Sequence, residues 1–191
     1  MVPGSLSGGH PVTAQDKQRL FLALWPPEAV QATLGKRARE AVGRRRGRIL
    51  PVANLHITLA FLGDTTPADR ACYELMADTL VGLPAFDLTL DRLVGHRRRG
   101  MLWAAPTEMP SELAELARLT GEVLRPCGRV PESRPFRAHV TLARKVTDLE
   151  AEAEMAPVIW PVTQLALVAS HRTPKGAEYR TLRRWPLHRQ A

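Results

Sequence analysis

The segment "HITLA" at residues 56–60 returns almost unchanged as "HVTLA" at residues 139–143. Chance readily places Thr two positions after His, but agreement also at Leu and Ala is much harder to obtain by accident. Both copies lie in short apolar runs, "NLHITLAFLG" at 54–63 and "FRAHVTLAR" at 136–144, which are typical of β-strands. We therefore interpret the pair as two copies of one functional strand.

Side chains alternate between two faces along a β-strand. Each copy therefore places a histidine and a threonine on one polar face, His56 with Thr58 and His139 with Thr141. The apolar residues between them, and Phe61 in the first copy, are predicted to face the core. A rise of about 3.3 Å per residue separates each His from its Thr by roughly 6.6 Å, so both can reach one phosphate-sized group.

The segments around the two copies follow the same predicted order of helix, His-bearing strand, helix and two strands. The first set comprises a helix at 26–43 after an apolar strand at 19–25, a Thr-capped helix at 65–83, and a hairpin of strands at 86–96 and 100–106. The second comprises a helix at 110–128 with Ser111 as its expected cap, a short helix at 146–155, and strands at 158–172 and 177–187.

An internal duplication is the simplest explanation of this order. It predicts an α+β fold with two pseudo-symmetric lobes, each with a small antiparallel sheet and helices on its outer face. The histidines then converge in the cleft between the lobes. We expect a flexible leader at residues 1–18 and a single bilobal domain at residues 19–191.

Composition indicates a soluble, cytoplasmic protein. Apolar residues make up 45% of the chain, and no run approaches the ~18 apolar residues of a membrane span. The first residues lack the pattern of a signal peptide. Cys72 and Cys127 form no C-x-x-C motif, so neither a zinc site nor a disulfide is indicated, and each is expected to be a buried or idle thiol.

Charge favours an anionic partner. Lys and Arg number 27 against 19 Asp and Glu, which gives a net charge of +8, and most of the positive charge is arginine in clusters. The planar guanidinium group of arginine matches the geometry of phosphate oxygens. A phosphate-bearing substrate such as RNA is therefore the expected partner.

The pattern excludes several catalytic classes. Neither motif has Asp or Glu at regular offsets or an H-E-x-x-H spacing, and the sequence has no nucleophile elbow and no P-loop. General acid and base catalysis by the two histidines remains, because an imidazole with a pKa near 6.5 can be neutral or charged at neutral pH. Such a pair suits phosphodiester cleavage, with Thr and Arg groups holding the phosphate oxygens.

The paired "HITL" and "HVTL" resemble the two H-x-T-x motifs of the 2H phosphoesterase superfamily. The segments "RLFLALWPPEAV", "NLHITLAFLGD", "RPFRAHVTLAR" and "YRTLRRWPL" further resemble its branch of RNA 2',3'-cyclic phosphodiesterases, also called 2'-5' RNA ligases. The resemblance implies metal-independent hydrolysis of a terminal 2',3'-cyclic phosphate to a 2'-phosphate, without a cofactor. It also implies reversible 2'-5' ligation in some members. A monomer acting on tRNA-like or other oligonucleotide ends is expected.

Residue roles follow from the same resemblance. His56 matches the proton donor to the departing 3'-oxygen, and His139 matches the base that activates water. Thr58 and Thr141 match phosphate-binding hydroxyls, and Arg144 matches an arginine that contacts the phosphate or nucleotide. Strict alternation would point Arg144 away from His139, so this contact requires a bulge or the strand end. Ala138 stands where many relatives have proline before the second histidine.

Two other functions remain open. The same chemistry could act on a small cyclic nucleotide, on a cyclic phosphate of ADP-ribose or on a linear 2'-5' oligonucleotide. Alternatively, the motifs could only bind phosphate within a non-catalytic RNA-binding module. His96 and His171, beside arginines at strand ends, are weaker functional candidates, and the four tryptophans are expected in the core, with base stacking as the alternative.

Overall fold

The computed structural model describes residues 17–174 and 176–188, so most of the predicted leader lies outside the described residues. The described chain contains three α-helices, α1 (Glu28–Val42), α2 (Pro67–Asp78) and α3 (Ser111–Val123). It contains nine strands: β1 (Gln18–Leu24), β2 (Arg48–Ile49), β3 (Ile57–Thr65), β4 (Phe86–His96), β5 (Met101–Ala105), β6 (Val140–Arg144), β7 (Glu152–Val162), β8 (Gln164–Thr173) and β9 (Gly176–Pro186). None of these helices is both long and apolar enough to cross a membrane.

The strands form two antiparallel sheets, which confirms the α+β prediction. One sheet has the order β3-β1-β8-β9, and the other has the order β2-β6-β5-β4-β7. Each His-bearing strand pairs with a strand that precedes it in the chain across a helix. Strand β3 pairs with β1 across α1, and β6 pairs with β5 across α3, so β1-α1-β3 and β5-α3-β6 are equivalent units. A sheet on each side of a cleft fits the predicted bilobal arrangement.

The sheets do not correspond to the two halves of the chain. Strand β8, from the second predicted set, pairs with β1 from the first, and β6, also from the second set, pairs with β5 from the first. Each sheet therefore contains strands from both predicted sets. This arrangement ties the two His-bearing strands into one structure, so neither half contains a complete sheet of its own.

The helix starts follow their caps, with one difference from prediction. At α2, Thr66 accepts a hydrogen bond from the backbone N–H of Asp69 and the Asp69 carboxylate accepts one from the backbone of Thr66, as the predicted Thr cap requires. The predicted Ser111 cap of α3 is wrong. Pro110 occupies that position, and the Ser111 hydroxyl donates to Glu112 instead.

The short helix predicted at residues 146–155 is also wrong. Strand β7 begins at Glu152 and pairs along β4, with Leu88 opposite Trp160. Its buried side chains alternate only at Val158, Trp160 and Val162, after the Ala and Glu residues that suggested a helix. Pairing with a long neighbouring strand overrides that local helix propensity. A break at residue 163 separates β7 from β8, so residues 158–172 are two strands.

A disulfide joins Cys72 in α2 to Cys127, in the short 3₁₀ helix Arg125–Cys127 that follows α3. The Cα atoms are 5.9 Å apart, a usual separation for a bridge. The expectation of two unlinked thiols is therefore wrong. The two cysteines are 55 positions apart and share no short motif, so only the packing of α2 against the end of α3 reveals the pair.

Candidate active site

A cleft of about 1810 Å³ is lined by residues of both sheets. All five predicted site residues line it: His56, Thr58, His139, Thr141 and Arg144. Side chains separated by more than 80 positions in the sequence therefore face one space. The cleft is the candidate active site.

A β-bulge reshapes the first motif. Thr58 and Ala60 pair with successive residues of β1, so Leu59 has no partner there. An extra residue shifts the side-chain alternation by one position. Phe61 consequently lines the cleft with 63% of its surface exposed, and the predicted core position of Phe61 is wrong.

The second motif contains the equivalent bulge. Thr141 and Ala143 pair with successive residues of β5, which leaves Leu142 without a partner. This is the irregularity that Arg144 needs if it is to face the same space as His139. The side chain of Arg144 is exposed and lines the cleft, as the resemblance led us to expect.

The two bulges fall on the same leucine of the repeated motif. As a result, the residue five positions after each histidine turns into the cleft. In the first motif this residue is Phe61, and in the second it is Arg144. The duplicated framework thus presents an aromatic ring from one side and a guanidinium from the other.

Both imidazoles are oriented by the same backbone contact. Nδ1 of His56 lies 2.7 Å from the carbonyl oxygen of Asn54, and Nδ1 of His139 lies 2.7 Å from that of Arg137. A carbonyl only accepts hydrogen bonds, so Nδ1 carries the hydrogen in each ring. In the neutral imidazole, Nε2 is then the nitrogen that can accept a proton.

Aromatic side chains surround His56. Its ring stacks on Trp25 at a centroid distance of 4.9 Å and an interplanar angle of 2°. Phe21 lies 5.0 Å away, and Tyr179 presents its edge at 5.2 Å. Nε2 of His56 is 3.1 Å from the hydroxyl oxygen of Thr58, so this threonine contacts the imidazole directly.

His139 has a different neighbourhood. Its ring stacks on Trp103, with centroids 3.7 Å apart, and Trp103 also contacts His96 at 3.8 Å. Trp25 and Trp103 therefore contact the candidate catalytic histidines. The sequence predicts all four tryptophans in the core. Of these, Trp160 and Trp185 are buried there.

Burial lowers the pKa of both histidines. The pKa of His56 falls to about 4, mainly because desolvation opposes its charged form. The Asn54 carbonyl opposes this shift, and the charges of His139 and Arg144 reinforce it. Desolvation also lowers the pKa of His139, against the effect of the Arg137 carbonyl. Both rings are therefore mainly neutral near pH 7 in the free protein.

The cleft is strongly basic. Of the described residues that line it, eleven are arginines and two are glutamates. The glutamates are already paired, Glu122 with Arg118 and Glu132 with Arg134. Most of the arginine charge is therefore available to attract an anion.

The two weaker histidine candidates differ in position. His96 lines the cleft, although the sequence made it only a weak functional candidate. His171 is exposed and does not line the cleft. Within residues 17–174 and 176–188, no group of three or more His, Cys, Asp or Glu side chains is arranged to hold a metal ion.

Comparison with known families gives a match over residues 26–174 to the model of the 2'-5' RNA ligase superfamily. The RNA 2',3'-cyclic phosphodiesterase of Escherichia coli K12 is 30% identical over 175 residues, which cover 90% of this chain and 98% of the relative. The RNA 2',3'-cyclic phosphodiesterase of Thermus thermophilus is 32% identical over 182 residues, covering 88% and 90%.

Solved structures show the same architecture. The crystal structure of E. coli LigT complexed with 3'-AMP matches with a TM-score of 0.81 and 28% identity, covering 90% of this chain and 98% of that chain. The crystal structure of TT0787 from T. thermophilus matches with a TM-score of 0.76 and 27% identity, covering 91% and 100%.

Proposed function

This chain belongs to the 2'-5' RNA ligase superfamily, and on that premise we propose that it hydrolyses the 2',3'-cyclic phosphate at RNA ends to a 2'-phosphate. One observation carries the proposal. His56 and His139 line the same cleft, each with Nδ1 held by a backbone carbonyl, so Nε2, which in His56 contacts the Thr58 hydroxyl, is the nitrogen that can exchange a proton. A pair of imidazoles arranged in this way suits general acid and base catalysis.

In the proposed reaction, water attacks the phosphorus while Nε2 of His139 accepts its proton. The bond from phosphorus to the 3'-oxygen breaks, and Nε2 of His56 protonates that oxygen. One water is consumed and the phosphate stays on the 2'-oxygen. Thr58 and Thr141 donate hydrogen bonds to the non-bridging oxygens, and the Arg144 guanidinium neutralises the charge that develops on them.

His56 takes up its proton from solvent when the anionic substrate binds. In the free protein burial and nearby positive charge keep this ring neutral near pH 7. A bound phosphodiester brings a negative charge into the same cleft, which favours the imidazolium form. Substrate binding and protonation of the general acid are thus coupled.

The dimensions of the cleft favour RNA over a small nucleotide. Pockets for small molecules are typically about 300–1,000 Å³, and this cleft is larger, at about 1810 Å³. Its excess of arginine suits a substrate with several phosphates. The reaction uses no metal or other cofactor, and we propose that a cytoplasmic monomer carries it out.

The decisive test uses purified protein and an RNA oligonucleotide that ends in a 2',3'-cyclic phosphate. With EDTA present, the ring should open to a 2'-phosphate, which is distinguished from a 3'-phosphate by nuclease mapping. His56→Ala and His139→Ala should each lower turnover by about 10³-fold without changing the melting temperature by much. RNA binding without turnover at any pH would instead indicate a phosphate-binding module.

Ligation, in which a 5'-hydroxyl takes the place of water and the bond from phosphorus to the 3'-oxygen again breaks, needs its own assay. We propose that the same site joins a 2',3'-cyclic phosphate end to an RNA that begins with a 5'-hydroxyl, giving a 2'-5' linkage. A large excess of the 5'-hydroxyl RNA should yield a small amount of joined product. Loss of both hydrolysis and ligation in the same histidine variants would show that one site serves both reactions.

A further inference from the structure

Two arginines from separate loops line the cleft near the second motif. Arg99 belongs to the 3₁₀ helix Arg97–Arg99 between β4 and β5, and Arg137 lies two residues before His139. Both line the cleft. Desolvation lowers the pKa of His96, and the positive charges of Arg99 and Arg137 add to this effect, so both guanidinium groups lie within electrostatic reach of one imidazole.

These charges have no salt-bridge partner in the described part of the chain. Among the described residues, neither Arg99 nor Arg137 forms a salt bridge. The two glutamates of the cleft are engaged by other arginines. Like charges brought together without a counter-charge repel each other, so this cluster is stabilised by an anion.

Unsatisfied polar atoms lie in the same cluster. Nε2 of His96 and Nε1 of Trp103 are buried and have no hydrogen-bond partner within the described chain. Buried polar groups in folded proteins almost always have partners. Together with the unpaired arginines, these atoms mark a part of the cleft that the chain itself leaves incomplete.

The cluster is next to the reacting centre. The centroid of the Trp103 ring is 3.7 Å from that of His139 and 3.8 Å from that of His96. A ligand held by Arg99 and Arg137 would therefore lie beside the phosphate that His139 faces. In a nucleic acid, the group in that place is the neighbouring phosphate of the backbone.

We propose that Arg99 and Arg137, grouped around His96, form a second phosphate site that binds the internucleotide phosphate next to the terminal cyclic phosphate. This inference rests on the proposed function and narrows its substrate. The preferred substrate is then an RNA end of at least two nucleotides, because a nucleoside cyclic monophosphate leaves the second site unfilled.

Kinetics on two matched substrates test the proposal. A nucleoside 2',3'-cyclic monophosphate is compared with a dinucleotide that has the same terminal nucleoside and cyclic phosphate. The protein should favour the dinucleotide by at least tenfold in kcat/KM. Replacing the internucleotide phosphate with an uncharged methylphosphonate should remove most of that preference, without any change to the protein.

Variants locate the effect. Arg99→Ala and Arg137→Ala should each reduce the dinucleotide preference at least threefold, and Arg137→Lys should retain part of it. Arg44→Ala removes an exposed charge that does not line the cleft and should leave the preference unchanged. Substitution of the Arg137 side chain leaves its backbone carbonyl available to His139.

The outcomes separate the two proposals. Equal kcat/KM for the two substrates, with turnover of both, would overturn the second phosphate site and leave the proposed function standing. Equal losses on both substrates in Arg99→Ala and Arg137→Ala would also overturn it, because the arginines would then serve the terminal phosphate. No turnover of either substrate would overturn the proposed function itself.

Discussion

The two histidine motifs share one backbone design but differ in what holds them. Each histidine donates from Nδ1 to the carbonyl two residues earlier, and each strand bulges at the motif leucine. These shared features orient the reactive nitrogen and turn the residue five positions later into the cleft. The duplicated backbone therefore supplies the chemistry that the two sites have in common.

The first motif is held by contacts at the imidazole itself and at the residues just before it. A 3₁₀ helix, Val52–Asn54, precedes His56, and Nδ2 of Asn54 donates to the carbonyl of Ala177 in β9 at 2.8 Å. The aromatic rings of Trp25, Phe21 and Tyr179 enclose the imidazole. This apolar setting is the main cause of the low pKa of His56.

The second motif depends on distant tethers. No helix or strand occurs between Cys127 and Val140, and most of that segment is exposed. The disulfide fixes its start, and Arg129 donates to the carbonyl of Phe61 in β3 at 2.7 Å. Similar geometry at the two histidines is thus maintained by different means, so the two sites should respond differently to perturbation.

The largest predicted effect tests what the motifs share. His56→Ala and His139→Ala should each lower kcat on a cyclic-phosphate RNA by about 10³-fold, since each removes one proton-transfer group. The double variant should be little worse than either single variant, because the two groups act in one step. Single-turnover rates measure this, and strictly multiplicative losses would contradict a concerted pair.

The next largest effect concerns the position at which the two motifs differ, five residues after each histidine. Arg144→Ala should lower kcat/KM about 100-fold, because it removes a charge-assisted contact worth roughly 2–3 kcal/mol. Phe61→Ala should act mainly on KM, by about tenfold, as expected for loss of a base-stacking surface. Steady-state kinetics of both variants on one RNA distinguish an effect on KM from an effect on kcat. Equal changes in kcat for both variants would show that the two positions have not specialised.

The pH dependence of catalysis depends on the pKa values of both imidazoles. The pH profile of kcat/KM reports the ionisation of the free protein, in which the pKa values of His56 and His139 both lie below 6.5, so kcat/KM should peak below pH 6.5 and fall as the pH rises. Bound phosphate raises these pKa values, and kcat should therefore peak at higher pH than kcat/KM.

Tyr179 offers a way to sharpen that comparison. Tyr179→Ala should expose His56, raise its pKa and move the kcat/KM optimum upward by a fraction of a pH unit, because burial is the main cause of the shift. NMR titration of the His56 ring checks the cause directly. A downward movement of the optimum would contradict the assigned origin of the low pKa.

The smallest effect on catalysis concerns the tether of the second motif. Replacing both Cys72 and Cys127 with serine should lower the free energy of unfolding by up to about 4 kcal/mol, from the loss of loop closure over 55 residues. Activity should fall by less than tenfold. Dithiothreitol should reproduce both changes in the parent protein and leave the double variant unaffected, as measured by urea titration.

Several features of the site could be predicted because they depend on local sequence. The His and Thr pairs follow from strand periodicity, and the α2 cap follows from Thr66 and Pro67. The position of Phe61 could not be predicted, since alternation fails at a bulge that is visible only in the pairing of β3 with β1. The same irregularity was anticipated for Arg144 only because the resemblance required that residue in the cleft.

By itself, the sequence determined the α+β class, the repeated motif and the two histidines, because each depends on side-chain type and short-range spacing. Tertiary structure alone decided that each sheet combines strands from both predicted sets, that β7 is a strand, and that Cys72 meets Cys127. It also decided the environment of each imidazole. These outcomes depend on pairing and burial between segments far apart in the chain, and local propensity carries no information about such partners.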